Sequence, residues 1–467
     1  MSHFLDKTPA RRSDAGKTPA VRSPFEAAPW RQGIPLGDGA KRPGALSRLV
    51  PLLAVGLLAG GCSWFSWIPG IGGKDDKEDQ LKPAELVSFE PQARIRPLWR
   101  AKIGKGLGRK YLRLDPAPLA GRIYAADGYG TVEARDRFSG KRVWRARIAQ
   151  EGRADRSPRS GVGRFVPRVQ FRFFDRRDPS FVSGGVGAGA GFVLVGTTGG
   201  ALVALSAADG SEVWRSQVGA EILSRPATGD GAVFVQTIDG RLLALEQTDG
   251  SVRWSFDNQV PVLTLRGSAS PVFNGDIVYA GFANGMVGAI RTGNGEPLWE
   301  HRVMLPEGRS ELDRMVDVDA SPFINGPLLY AVSYQGRLKA LRAADGVAVW
   351  QQEASSYLDL AAGYGQIYVV DETDAVIAID EQTTDEVWRQ EGLYRRKLSS
   401  PVAFSNYLVV GDDDGYLHVL AQSDGRFLAR RKLDGDGLRS GMAVVDGRTL
   451  YVLGNSGALH ALEIEAR

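Results

Sequence analysis

One cysteine, four histidines and a run of three aspartates are the groups with which this 467-residue chain could do chemistry. Their placement argues against most of it. His3, His301, His418 and His460 are scattered, with no Asp or Glu grouped around them at metal-ligand spacing. The run "DDDG" (Asp412–Gly415) lacks the spaced ligand ladder and distal Glu of a calcium loop, and it falls where a hairpin turn is expected. No Ser-His-Asp or activated-cysteine signature is present, and the glycine-rich stretches fall in hairpins, not before helices, so no phosphate cradle is expected. A single cysteine permits neither an intramolecular disulfide nor a cysteine-rich zinc site. The residues therefore predict no catalytic group, no metal and no cofactor.

The cysteine has a different use. It ends the stretch "LVPLLAVGLLAGGCSW" (Leu49–Trp64). Leu49 to Gly61 is too short to cross a bilayer, which takes about 20 apolar residues. It has the length of a signal-peptide core, with Arg48 supplying the positive charge ahead of it. Ala59, Gly60 and Gly61 before Cys62 resemble a bacterial lipobox, although Ala59 stands where Leu is commonest. That resemblance implies a diacylated Cys62 that becomes the first residue after cleavage. Ser63, in place of an aspartate, implies retention at the outer membrane. Several acyl chains anchor firmly where one binds only marginally.

Residues 46–61 are accordingly predicted to be a lipoprotein signal peptide and 62–85 a lipidated tether. Trp64, Phe65 and Trp67 suit the headgroup level, and "IPGIGGKDDKEDQLKPAE" reads as a solvated spacer. Residues 1–45 repeat "KTPARRS" and "KTPAVRS" and cannot bury enough surface to fold. They read as a disordered leader or as sequence upstream of a true start near Leu46. Much of the basic charge lies in these residues and in Arg153–Arg177, so the net charge of +4 is no nucleic-acid signal.

From residue 86 onward the chain repeats at a period near 40, which calls for a propeller or solenoid. "FVLVGTTGGALVALSAADGSEVWRSQV" from Phe192 and "IVYAGFANGMVGAIRTGNGEPLWEHRV" from Ile277 are two of the copies. Each reads as short alternating strands separated by Asp-Gly, Asn-Gly, Gly-Gly or Ser-Gly, the dipeptides that supply positive φ to hairpin turns. Trp follows the last turn glycine by four residues in Gly140–Trp144, Gly210–Trp214, Gly250–Trp254, Gly295–Trp299 and Gly346–Trp350. Thr384 replaces that glycine before Trp388, and Ala429 replaces the Trp of a seventh copy. The eighth copy runs out before its outer strand, and "IRPLWRAKI" around Trp99 has that strand's pattern. The expectation is an all-β, eight-bladed propeller of four-stranded antiparallel blades over 86–467, closed by the Trp99 strand on the C-terminal blade. Closure leaves no long sheet edge. Residues 149–187, rich in Arg, Phe and Gly, read as an insertion: a partner loop or a long blade connection.

The repeat resembles the PQQ-type propeller unit, and two families carry it. Quinoprotein dehydrogenases place an adjacent cysteine pair over their quinone, which this chain lacks. The lipobox with eight such repeats is similar to the BamB family of outer-membrane protein assembly factors, through "VLTLRGSASPVF" (Val262–Phe273), "ELDRMVDVDASPFINGPL" (Glu311–Leu328) and "SSPVAFSNYLVVGDDDGYLHVL" (Ser399–Leu420). The resemblance implies a non-catalytic, periplasmic scaffold on the outer membrane that binds a POTRA domain of BamA and works with other assembly-machine subunits. Its contact residues would be Leu263, Leu265 and Arg266 in the first loop and Asp317 and Asp319 in the second. Independently, residues two apart in an extended chain face one way, and Arg266 suits a carboxylate or backbone carbonyls. The other reading of the same residues is internal: leucines that pack, and Arg266 paired with Asp317 or Asp319. Whether the disc also binds unfolded outer-membrane proteins stays open.

Overall fold

The computed structural model describes residues 82–108, 112–149, 180–265, 267 and 269–467. Cys62, Arg266 and most of the 149–187 stretch lie outside the described residues. The last part of that stretch is strand: Val182–Gly189 is the innermost strand of the second blade.

Eight four-stranded antiparallel sheets make the fold. Blade 1 is Ala117–Leu119, Arg122–Ala126, Thr131–Asp136 and Arg142–Arg147. Six more blades follow in the same in-to-out order, and blade 8 supplies three strands, Met442–Val445, Thr449–Leu453 and Ala458–Ala466. Its fourth strand is Ala93–Lys102, paired from Ala93 with Ala466 to Lys102 with Ala458. The expected closure is therefore the one observed. The Ser-Pro pairs mark the start of innermost strands: Pro226, Pro271, Pro322 and Pro401 each stand one residue before such a strand.

The repeated tryptophan wedges neighbouring blades. Each sits opposite an alanine of the third strand, as Ala134 faces Trp144 and Ala244 faces Trp254. The residue before it is skipped by the pairing, as Val143 and Arg253 are. Such a bulge re-aims the side chain that follows. The closing strand carries the same bulge at Leu98, just before Trp99. The indole then lies on the turn glycine of the next blade, where an added Cβ would fall 2.4–2.8 Å from ring atoms at Gly140, Gly210, Gly250, Gly295, Gly346 and Gly425. These glycines also hold φ between +68° and +78°. The indole N–H of Trp99, Trp144, Trp214, Trp254, Trp299 and Trp388 donates to a carbonyl of that next blade, at 2.7–3.0 Å. Trp350 faces the blade whose turn glycine is replaced by Thr384 at φ +66°, and its buried N–H has no partner among the described residues. A side chain there takes the space the ring uses elsewhere.

Blade 7 has no wedge because blade 8 has nothing to receive one. The third and fourth strands of blade 8 come from opposite parts of the chain, so no turn joins them. Ala429 stands in the wedge position, and the segment before the closing strand covers the gap. Ala84 N–H donates to the Tyr394 carbonyl and Gln92 N–H to the Leu428 carbonyl, each at 2.9 Å. Phe89 stacks on Phe427 with centroids 5.5 Å apart, and the Arg430 guanidinium lies over both rings. Arg430 also donates to the Val87 carbonyl.

Two outcomes check this packing. Trp254→Ala is expected to cost about 3–5 kcal/mol, as large core truncations do, read by denaturant unfolding. Thr384→Gly is expected to stabilise the propeller by about 1 kcal/mol by relieving a left-handed residue, and to make the Trp350 emission less solvent-exposed.

Candidate functional site

Chain geometry collects the blade-to-blade connections on one face of the ring. The two singled-out loops are such connections: Asn258–Pro271 joins blades 3 and 4, and Val303–Pro322 joins blades 4 and 5. They meet. The carboxylate of Asp317 accepts the backbone N–H of Leu265. Gly267 passes so close to Asp319 that a Cβ would lie 2.7 Å from its Oδ2.

The aspartates are placed by alternation. Val316 and Val318 turn one way, toward Gly285 and Gly281 of blade 4, while Asp319 lies against Gly267 and Asp317 reaches Leu265. The backbone between them is pinned on both sides. Val318 N–H donates to the Phe282 carbonyl and Tyr334 N–H to the Asp317 carbonyl. Asp317 is fully buried and Asp319 is 8% exposed. Burial pushes the Asp317 carboxyl up to about 6. Burial and the neighbouring Asp317 charge push Asp319 up to about 8, with Arg113 opposing. Among the described residues Asp317 Oδ1 has no hydrogen-bond partner.

The residues singled out from the sequence therefore differ in placement. Leu263 is 42% exposed, and Val262, which sequence reasoning passed over, is 89% exposed. Leu265 instead lines a cavity of about 430 Å³ at the mouth of the central channel. The two leucines part because 262–265 bends and is not a strand. Asp317 and Asp319 lie beneath the first loop and hold it in place. The pairing weighed from sequence, Arg266 with an aspartate, lies outside the described residues; the observed partner of Asp317 is the Leu265 amide.

The mouth is braced by a belt of hydrogen bonds at the starts of the innermost strands. Arg225 N–H donates to Ser270 Oγ, Ser270 N–H to Ser321 Oγ, Ser321 N–H to Asp359 Oδ1 and Asp359 N–H to Ser400 Oγ. Each bond joins one blade to the next. Gly441 N–H closes on Asp115 in the same manner between blades 8 and 1.

The Asp412–Gly415 run is the expected turn, with Gly415 at φ +83°. Its Asp412 is consumed internally, accepting from Arg396 at 2.7 Å and pairing with His418 at 2.9 Å. Arg430 donates to His418 Nδ1, so the imidazole proton sits on Nε2. Burial holds His418 below its usual range, and His460 is pushed down to about 4. Among the described residues no three His, Cys, Asp or Glu side chains group as a metal site.

The family model described as outer membrane protein assembly factor BamB matches residues 130–390. The chain belongs to the BamB family. The BamB of Pseudomonas aeruginosa is 40% identical over 413 residues, which is 88% of this chain and 98% of that one. The BamB of Escherichia coli K12 is 37% identical over 399 residues, or 85% and 94%. The crystal structure of BamB from Moraxella catarrhalis superposes with a TM-score of 0.67 at 25% identity, covering 79% of this chain and 100% of that one. The quinohemoprotein alcohol dehydrogenase of Comamonas testosteroni shares the fold alone, with a TM-score of 0.59 at 14% identity over 79% and 76% of the two chains. Membership in the BamB family assigns the chain to outer-membrane protein assembly, at the outer membrane, as a protein that is not an enzyme.

The buried carboxyls give a pH test. Both are protonated in the fold at pH values where the unfolded chain has lost the proton, so their contribution weakens as pH rises from about 4 to about 8. Thermal melts at pH 5 and pH 8.5 should show a larger loss of Tm for the native chain than for Asp319→Asn. Equal losses would remove Asp319 from this role.

Proposed function

We propose that this chain is a scaffold, anchored through acylated Cys62, that binds a POTRA domain of BamA with the Val262–Gly267 loop and so assists folding and insertion of outer-membrane proteins. The lipid anchor and the partner both come from family resemblance. The observation that carries the reading is the clamped loop: apolar Val262 and Leu263 stand in solvent on a segment whose amide is tied to a buried carboxylate. Exposed apolar side chains on a rigid support are what a docking surface needs, because little ordering entropy is lost when the partner arrives.

The second loop extends the surface. Leu305 and Leu312 are exposed on it, one blade further round. Asp317 and Asp319 contribute indirectly, by holding the first loop. Arg266, between the loop's two supports, is assigned to the partner's carboxylate or backbone carbonyls. The mechanism is positional: anchor, tether, rigid ring and a gripping edge orient the POTRA domain, and no bond is made or broken.

Pull-down from native membranes tests this. The native chain should recover BamA; Leu263→Asp and Arg266→Ala should recover at least tenfold less with unchanged Tm, and Asp317→Ala should lose binding together with loop protection. Intact mass of the same material should show Cys62 acylated. Undiminished BamA recovery by Leu263→Asp and Arg266→Ala, or an unmodified Cys62, would overturn the corresponding half of the proposal.

A further inference from the structure

The channel-mouth cavity is more than the back of the docking loop. Its wall is apolar where Leu112, Leu223 and Leu265 face it and aromatic at Tyr334 and Tyr357. Two cations reach it from elsewhere in the ring. Arg113 lies with its guanidinium over the Tyr357 ring, 5.6 Å from the centroid, and donates to the Tyr357 carbonyl. Lys397 comes from the connection between blades 6 and 7.

Lys397 is held at the mouth by a connection in an unusual conformation. Arg395 at φ +55° and Lys397 at φ +54° are both left-handed, a region non-glycine residues rarely occupy and one that gathers at functional sites. The surroundings enforce it. The carboxylate of Asp374 accepts the backbone N–H groups of both Lys397 and Leu398 at 2.8 Å. Arg396 between the two is buried and tied to Asp412, Asp414 and the Ala84 carbonyl. The Lys397 side chain is left 71% exposed, with its ammonium 3.5 Å from Asp413. Burial and the neighbouring Asp317 charge push the facing Asp319 carboxyl up to about 8, which weakens its pull on the cations.

We infer that this cavity is a socket for an apolar, carboxylate-bearing segment of the protein docked on the Val262–Gly267 loop, with Lys397 and Arg113 receiving the carboxylate. The inference rests on the BamA reading above and adds the chemistry of what enters the channel mouth. Continuity selects a docked protein over a small anion: Leu265 and Gly267 belong both to the loop and to the cavity wall. A carboxylate alone would leave the leucines and tyrosines uncovered. An apolar side chain alone would cover the Lys397 side chain, which is 71% exposed, and take away its water without offering a polar partner in return.

Binding of purified BamA POTRA domains to the mature chain tests the socket, with Kd measured at low and at physiological salt. Lys397→Glu should weaken binding at least tenfold with unchanged Tm. Lys397→Gly removes the charge while relaxing the backbone, and should weaken it about fivefold and flatten the salt dependence. Lys397→Arg should bind as the native chain does, and an acidic-to-lysine change on the POTRA surface should rescue Lys397→Glu. Native-like affinity of Lys397→Glu and Lys397→Gly, alongside loss in Leu263→Asp, would overturn the socket and leave the docking reading standing. Native-like affinity in all three would overturn both.

Discussion

An indole laid on a glycine of the next blade is the contact on which the ring depends. A propeller holds together only if the gap between each pair of sheets is filled, and sheets that splay outward leave a wide gap at the rim. Tryptophan fills it with a large apolar surface and a donor that must be satisfied. The glycine provides the space, the following blade's carbonyl accepts the N–H, and the bulge before the indole aims it. Where Thr384 replaces the glycine, the Trp350 N–H has no partner among the described residues.

The seam between blades 7 and 8 follows from the same rule. Closing the ring with a strand from the other end of the chain removes the turn that would have received an indole, so Ala429 needs no tryptophan. Phe89, Phe427 and Arg430 occupy that seam instead. The covering segment fixes Ala84 against Tyr394, on the face where the blade connections lie.

Loops positioned by a rigid scaffold are where binding residues concentrate in proteins generally, and here the frame includes the serine and aspartate belt around the channel mouth. Asp317 and Asp319 are costly groups to bury. They lie against the first loop, on which Val262 and Leu263 are exposed among the described residues.

Repeat period, turn glycines and tryptophan spacing were enough to read eight blades and their closure, because each is a local pattern recurring at fixed distance and strand pairing between neighbours follows from it. The unpaired pattern around Trp99 identified the closing strand for the same reason. The loops were legible as positions and less so as roles. Alternation placed Leu263 with Leu265, but the chain bends there, and one leucine faces solvent while the other lines the channel. The aspartates read as contact residues from the sequence are buried against the first loop, since whether a carboxylate is buried depends on what another blade lays over it. The Lys397 and Arg113 pair carried no signal at all: 284 positions separate them in sequence, and only ring closure brings them to one mouth. Local periodicity thus determined the architecture by itself, whereas the surface at the channel mouth was decided by which distant connections the closed ring sets side by side.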